Sequence, residues 1–230
     1  MSVESRFRRL KFLLAFSIIL NLIAIFYGAK RYYYTQDFSK QRTPSKSAYY
    51  LNRQTVYDLF PVTKDDIVFI GDSHTQRFDV GEYFKGYPII NRGIDYDITA
   101  GLLKRIYEVT DGKPKKVFVE IGFNDLIGGI KPDVARNNII SILKTIKEKS
   151  PYTKIYLMGL FPSVTKANEL VPEMNNNLKK VCLDFNIPFI DINSKLSKDG
   201  SLDAKYDGGD GVHLNGQGYL VWSQALKPYL

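Results

Sequence analysis

The chain is expected to fold as an α/β protein: a three-layer α/β/α sandwich around a five-stranded parallel sheet, preceded by an N-terminal transmembrane helix. Three observations predict this. Five short apolar runs recur along residues 63–230, each followed by a helical pattern, and that alternation favours a parallel sheet covered on both faces. Right-handed crossovers then stack the helices in two layers. Near the N-terminus, Phe12 to Ala29 carry no formal charge. The 230 residues suit one α/β domain plus an appendage, and 44% hydrophobic with 24% charged residues are ordinary globular proportions.

The apolar stretch FLLAFSIILNLIAIFYGA is 18 residues long, and as a helix it spans about 27 Å, close to the hydrocarbon thickness of a bilayer. Arg6, Arg8, Arg9 and Lys11 precede it against Glu4 alone. The positive-inside rule therefore places the N-terminus in the cytoplasm and the remainder outside. The expected organisation is a cytoplasmic basic tail (1–11), a transmembrane signal anchor (12–29), a juxtamembrane stalk with a leading helix (30–62) and a folded domain (63–230). A cleaved signal peptide is the competing reading, but Tyr27-Gly28-Ala29-Lys30 puts a bulky residue where cleavage wants a small one. A buried globular helix is a third. In the stalk, Tyr32, Tyr33 and Tyr34 either sit at the headgroup level or belong to a plain linker. The net charge of +8 comes with no nucleic-acid-binding signature. The one cysteine, Cys182, excludes an intramolecular disulfide, and no Cys/His cluster has zinc spacing.

Along the folded part, Ala48–Leu59 reads as a helix with an apolar stripe of Tyr49, Tyr50, Val56, Leu59 and Phe60, ended by Pro61. Ile67–Ile70 is a strand, followed by a short helix near Gln76–Phe84. Pro88–Asn91 is a second strand and Thr99–Val109 a helix. Lys116–Ile121 is a third strand. Asp133–Lys149 is an amphipathic helix with Val134, Ile139, Ile140, Leu143 and Ile146 on one side and Pro132 at its start. Lys154–Leu160 is a fourth strand, Asn168–Phe185 mostly helix, Pro188–Ile192 a fifth strand, and Leu214–Leu226 the closing helix. Ligands of such sheets bind outside the carboxyl ends of the strands. That rule brings Ser73, Asn91–Asp97, Gly122–Asp125 and the loop of Asp210 and His213 to one rim.

The chemistry available there is nucleophilic. A serine hydroxyl needs a base in hydrogen-bond reach, and the base needs an orienting acid. Ser73 ends an apolar strand in Gly71-Asp72-Ser73. The chain has two histidines. His74 adjoins Ser73, and local geometry hinders its ring from reaching that hydroxyl, so His213 is the candidate base and Asp210, three residues before it, the orienter. Each motif alone also reads as ordinary turn or cap chemistry. Asn124 can offer an amide N–H to a developing oxyanion, and Gly122-Phe123-Asn124-Asp125 is equally good turn chemistry.

From Asp65 to Pro228 the chain resembles the SGNH hydrolases, also called GDSL esterases/lipases. Gly71-Asp72-Ser73, Gly122-x-Asn124-Asp125 and Asp210-x-x-His213 match that family's first, third and fifth blocks. Asn91-Arg92-Gly93-Ile94 looks most like its platelet-activating-factor acetylhydrolase-like and carbohydrate acetylesterase-like branch. The resemblance implies the flavodoxin-like SGNH fold. It also implies a triad of Ser73, Asp210 and His213, and an oxyanion hole from the Ser73 backbone N–H, the Asn124 side chain and a second-block backbone N–H. Tyr96 stands where that branch has the donating glycine, so its own N–H, or that of Gly93, takes the role. The implied protein is a membrane-anchored serine esterase cleaving short-chain, O-acetyl esters on carbohydrate outside the cytoplasmic membrane, with no cofactor or metal and no nucleic-acid partner. A lipid or lysophospholipid hydrolase, an acyl transferase and a catalytically silent tethered binding protein are the alternatives. Acyl length, the alcohol half, anchor cleavage and oligomeric state stay open.

Overall fold

A computed structural model describes residues 9, 11–14, 16–28 and 47–230, in two compact units, Met1–Arg42 and Thr43–Leu230. In the first, helix α1 (Lys11–Gly28) has the length and composition of a membrane span or of a signal sequence, and none of it is buried. Its amide Asn21 donates to the Ser17 carbonyl at 2.9 Å, which satisfies one of its polar groups within the helix. The expected basic tail (apart from Arg9 and Lys11) and the tyrosine-rich stalk lie outside the described residues.

The second unit opens with α2 (Ala48–Leu59), whose N-cap Ser47 accepts the Tyr50 N–H. The apolar stripe expected to be buried is mostly not: Tyr49, Val56, Leu59 and Phe60 are exposed. The buried face instead carries Tyr50 and Tyr57, seven residues apart and so on one side of a helix. The Tyr57 hydroxyl donates to the Gly93 carbonyl at 2.6 Å.

Then strands and helices alternate: β1 (Ile67–Gly71), α3 (Ser73–Gln76), α4 (Val80–Tyr83), β2 (Ile89–Gly93), α5 (Thr99–Lys104), α6 (Tyr107–Thr110), β3 (Lys116–Glu120), α7 (Phe123–Ile127), α8 (Pro132–Lys149), β4 (Lys154–Met158), α9 (Val171–Phe185), β5 (Phe189–Ile190), α10 (Asn193–Leu196), the short strands β6 (Ser197–Lys198) and β7 (Ser201–Leu202), and α11 (Gly216–Leu226). β1 to β5 form one parallel sheet in the order β2-β1-β3-β4-β5, the flavodoxin-like order. Alternation along each strand sorts the core. Val68, Ile70, Val117, Val119, Ile155 and Leu157 pack with α5, α6, α8 and α9. Phe69, Phe118, Tyr156 and Met158 pack on the other face, against α4 and α11, where Phe78 stacks on Trp222 at 4.6 Å. The expected three layers are present.

The differences have local causes. The first short helix starts at Ser73, because Asp72 caps it by accepting the His74 N–H at 3.0 Å. The helix expected over Thr99–Val109 breaks into α5 and α6 at Arg105, whose side chain turns into the interior. Gly122–Asp125 is the start of α7 rather than a loop. β4 stops at Met158 because the side-chain amide of Asn175 takes both backbone groups of Leu160. α9 begins at Val171, after a 3₁₀ turn at Lys166–Leu170, with Pro172 in its first turn, where its missing N–H is not needed. Within α8, Val134 is exposed and Ala135 and Ile142 are buried instead. The β6–β7 hairpin was not expected. Its turn residues Asp199 and Gly200 both have positive φ, which is the usual Asp-Gly hairpin signal.

Arg105 is wholly buried. It donates to the Arg92 carbonyl at 2.8 Å and the Gly71 carbonyl at 2.9 Å, and pairs with Asp97 at 2.8 Å and Glu108 at 3.0 Å. It thus adds a donor to main-chain oxygens near the ends of β2 and β1, where the Gly71 carbonyl also accepts the Ile94 N–H at 3.1 Å. Burial works to lower its pKa, and the facing carboxylates reverse that and raise it. Asp97 is pushed up to about 6 by burial, with Arg105 opposing. Asp125, also buried, accepts both the N–H (2.9 Å) and the hydroxyl (2.6 Å) of Thr99 at the start of α5, and burial raises its pKa to about 6.

Replacing Arg105 by Met is expected to lower unfolding stability by about 3–5 kcal/mol, because two buried carboxylates lose their partner. Urea unfolding of the full chain in detergent measures this, and a loss under 1 kcal/mol would remove Arg105 from its structural role. For Asp125, the folded pKa lies above the value of about 3.9 in an unfolded chain. The native state then binds more protons across roughly pH 4–6, so this group's contribution falls as pH rises through that window, by ~3 kcal/mol, and levels off above it. Asp125→Asn is expected to flatten that part of the stability–pH curve; an unchanged curve contradicts the assignment.

Candidate active site

The carboxyl ends of β1, β2 and β3 and the segment before α11 build one rim. Ser73 is the first residue of α3 and is 7% exposed. As the first helical residue its N–H has no partner within the helix. Gly93, at the end of β2, lets the strand pass the end of α3: a Cβ there would meet the Gln76 backbone nitrogen at 2.2 Å. Asn91 fastens the same contact. Its Nδ2 donates to the Thr75 and Phe78 carbonyls at 2.7 and 2.9 Å, and its Oδ1 accepts the Gly93 N–H at 2.9 Å.

The loop with Asp210 and His213 is folded by its own acids. Asp207 Oδ1 accepts the N–H groups of Gly209 and Gly211, and Asp210 Oδ1 those of Val212 and His213. This brings His213 Nδ1 to 2.6 Å from Asp210 Oδ2 and His213 Nε2 to 2.8 Å from Ser73 Oγ. A carboxylate only accepts, so Nδ1 carries a proton, and in the neutral ring Nε2 is then free to accept the serine proton. Burial works to raise the Asp210 pKa. Hydrogen bonds from the His213 ring and from the backbone outweigh it and hold the carboxyl well below its ordinary range. Asp210 is half exposed, and Arg77 stands 3.8 Å from its Oδ2.

Of the oxyanion candidates, Asn124 lies in α7 and donates one side-chain N–H to the Asp97 carbonyl at 2.9 Å. That bond ties the third block to the second and leaves the other N–H of the amide for a ligand. Gly122 precedes α7 with φ +125°, a conformation that needs glycine. Tyr96 adopts φ +62°, which costs a non-glycine residue about 1–2 kcal/mol. Its neighbours hold it there: the Asp95 N–H donates to Gln76 Oε1 at 2.7 Å, and Asp97 is fixed by Arg105. The Gly93 N–H, the alternative second-block donor, is donated to Asn91 Oδ1 at 2.9 Å. The Asp95 carboxylate faces Arg77 at 3.5 Å.

Sequence reasoning gave no role to four residues that shape this rim. Arg105 and Asp97 gave no signal beyond an ordinary helix and loop. Glu120 did: it is the one charge inside the buried run Val117–Ile121. His74 was set aside for its adjacency to Ser73, and its ring is buried beside that of His213, centroids 5.2 Å apart.

Residues 69–221 match the family model described as GDSL-like Lipase/Acylhydrolase. The N-acylneuraminate cytidylyltransferase of Streptococcus agalactiae serotype III is 29% identical over 150 residues, 64% of this chain and 34% of that protein. The chain thus spans about a third of the length of that relative. Platelet-activating factor acetylhydrolase IB subunit alpha1 of Bos taurus is 28% identical over 176 residues, 72% of this chain and 75% of that protein. Among solved structures, one described provisionally as a platelet activating factor from Streptococcus pneumonia superposes with a TM-score of 0.71 at 27% identity, covering 78% of this chain and 91% of that one. A catalytic mutant of an acetylxylan esterase from Geobacillus stearothermophilus shares the fold at TM-score 0.59 and 18% identity, over 72% and 94% of the two chains. With more than half of its residues matched by the family model, the chain belongs to the GDSL-like lipase/acylhydrolase family.

Proposed function

We propose that the protein is a membrane-anchored serine esterase that removes short acyl groups, chiefly O-acetyl, from carbohydrate on the outer face of the cytoplasmic membrane. The observation that carries the chemistry is the line of two hydrogen bonds, Ser73 to His213 at 2.8 Å and His213 to Asp210 at 2.6 Å. In this reading Ser73 Oγ attacks the ester carbonyl while His213 Nε2 takes its proton. Asp210, ionised across the working pH range, stabilises the resulting imidazolium and keeps the ring oriented. The Ser73 N–H, the remaining Asn124 N–H and the Tyr96 backbone bind the oxyanion. His213 returns the proton to the departing alcohol, and water repeats the sequence on the acyl-enzyme.

The acetyl assignment is supported by the branch resemblance of Asn91-Arg92-Gly93-Ile94 and by the names of two of the proteins above, an acetylhydrolase and an acetylxylan esterase. The sugar half is supported by the charged rim: Arg77 lies between Asp95 and Asp210, which suits hydroxyl groups better than an alkyl chain. The anchor rests on α1 and its basic flank.

Ser73→Ala is expected to lower aryl acetate turnover by about a thousandfold or more and to abolish labelling by a fluorophosphonate probe. Retention of either discards the serine mechanism. In a series of nitrophenyl esters, kcat/KM is expected to fall from acetate to octanoate; a rise with chain length favours the lipid hydrolase reading. Asp210→Asn is expected to slow turnover at least about tenfold, but less than Ser73→Ala, because Asp210 is half exposed and solvent screens its charge.

A further inference from the structure

We infer that His74 is a positioning residue, whose ring ties the loop of Asp210 and His213 to the start of α3 through a hydrogen bond that takes no part in the reaction. The inference deepens the triad reading above and rests on it.

His74 Nε2 lies 3.0 Å from the carbonyl oxygen of Val212, the residue immediately before His213. A carbonyl only accepts, so Nε2 holds the proton and donates it. The rest of the residue is fixed as well. Its N–H donates to Asp72 Oδ1, and its carbonyl accepts the Tyr219 hydroxyl at 2.9 Å. Its ring, 2% exposed, meets Phe161 and Phe123 edge to face, centroids 5.0 and 6.0 Å away. Nδ1 faces Asp72 Oδ1 at 3.5 Å. Behind Asp72 lies Glu120, and both carboxyls are wholly buried. Burial, and then the neighbouring Asp72 carboxyl, push the Glu120 pKa well above its ordinary range.

Two consecutive residues of α3 therefore hold two consecutive residues of the loop: Ser73 with His213, and His74 with Val212. The first bond is consumed in each turnover, because the serine oxygen becomes part of the acyl-enzyme and the imidazolium turns to the leaving group. The second is untouched by bond making and breaking. It keeps His213 in register through the stages in which its own bond to Ser73 is absent, and a displacement of about 1 Å at such a point can slow a reaction a hundredfold.

The test uses the full chain in detergent, with nitrophenyl acetate turnover, fluorophosphonate labelling and thermal unfolding of each variant. His74→Phe keeps an aromatic ring between Phe123 and Phe161 but has no donor; His74→Gln sets an amide N–H at about the reach of Nε2. The expected result is a kcat about 10- to 100-fold lower in His74→Phe with KM within about threefold, and recovery of most of that loss in His74→Gln. Two folded variants of equal activity, whether both full or both low, overturn the inference. In the wild-type chain, the ¹⁵N signal of His74 Nε2 is expected to mark a protonated nitrogen at every pH that supports turnover; an unprotonated Nε2 overturns the inference even if His74→Phe fails to fold. A divalent metal retained on purification, with activity lost to a chelator, also overturns it, by assigning Asp72, His74 and Glu120 to a cation. If wild-type protein is not labelled at Ser73, the triad reading fails; if it is labelled and His74→Phe is as fast as wild type, the positioning role alone fails.

Discussion

The rim on which this protein's chemistry is proposed to occur depends on one buried guanidinium. Near the ends of β1 and β2, the Gly71 and Arg92 carbonyls meet a wholly buried side chain. Arg105 supplies the donors, two to main-chain oxygens and others to Asp97 and Glu108. An arginine suits this position because its planar fork offers five donors and stays charged when buried. With Asp97 held, the turn at Asp95–Asp97 closes and Tyr96 is kept in its left-handed conformation. The Asp97 carbonyl then receives Asn124 from the third block. The ion pairs as such add little net stability once desolvation is counted. Their consequence is a fixed geometry for three loop segments that would otherwise move independently.

The other side of the rim is arranged by short-range bonds instead. Asp207, Asp210 and Asn215 each accept backbone N–H groups two to four residues onward, so residues 207–218 are shaped largely by their own short-range bonds. A preformed loop loses less entropy when it docks, and it presents the His213 ring without a long lever. Preorganised donors and a fixed base are what acyl transfer requires, because charge develops on the carbonyl oxygen faster than a loose loop can respond. Asp210 thus serves twice, one oxygen on backbone N–H groups and the other on the ring.

The buried acid pair beneath Ser73 gives the site an asymmetry. His213 faces the ligand side and pairs with a half-exposed carboxylate, whereas His74 faces the interior and lies over a wholly buried one. Two imidazoles lie close together in such different surroundings, and the division of work proposed for them, one moving a proton and the other holding a register, follows that difference.

Much of this was legible in the sequence. Apolar runs of four or five residues between helical patterns can bury both faces only in a parallel sheet, so the architecture and the strand centres followed from composition and period alone. Gly71-Asp72-Ser73 at a strand end and Asp210-x-x-His213 were readable because their bonds are local or follow from strand polarity. What the sequence left undecided was decided by contacts between distant residues. Arg105 reads as one more charge on a helix until four partners from three segments converge on it. The apolar stripe of α2 was misassigned because helical period cannot say which of two faces meets the sheet, and the hydroxyl of Tyr57 reaching Gly93 settled it. His74 and Glu120 lie 46 residues apart in sequence, and nothing along the chain marks them as neighbours. Local pattern determines which elements form and where a hydroxyl is exposed; the pairing of buried charges depends on packing, because a charge enters the interior only where the fold has already gathered its partners.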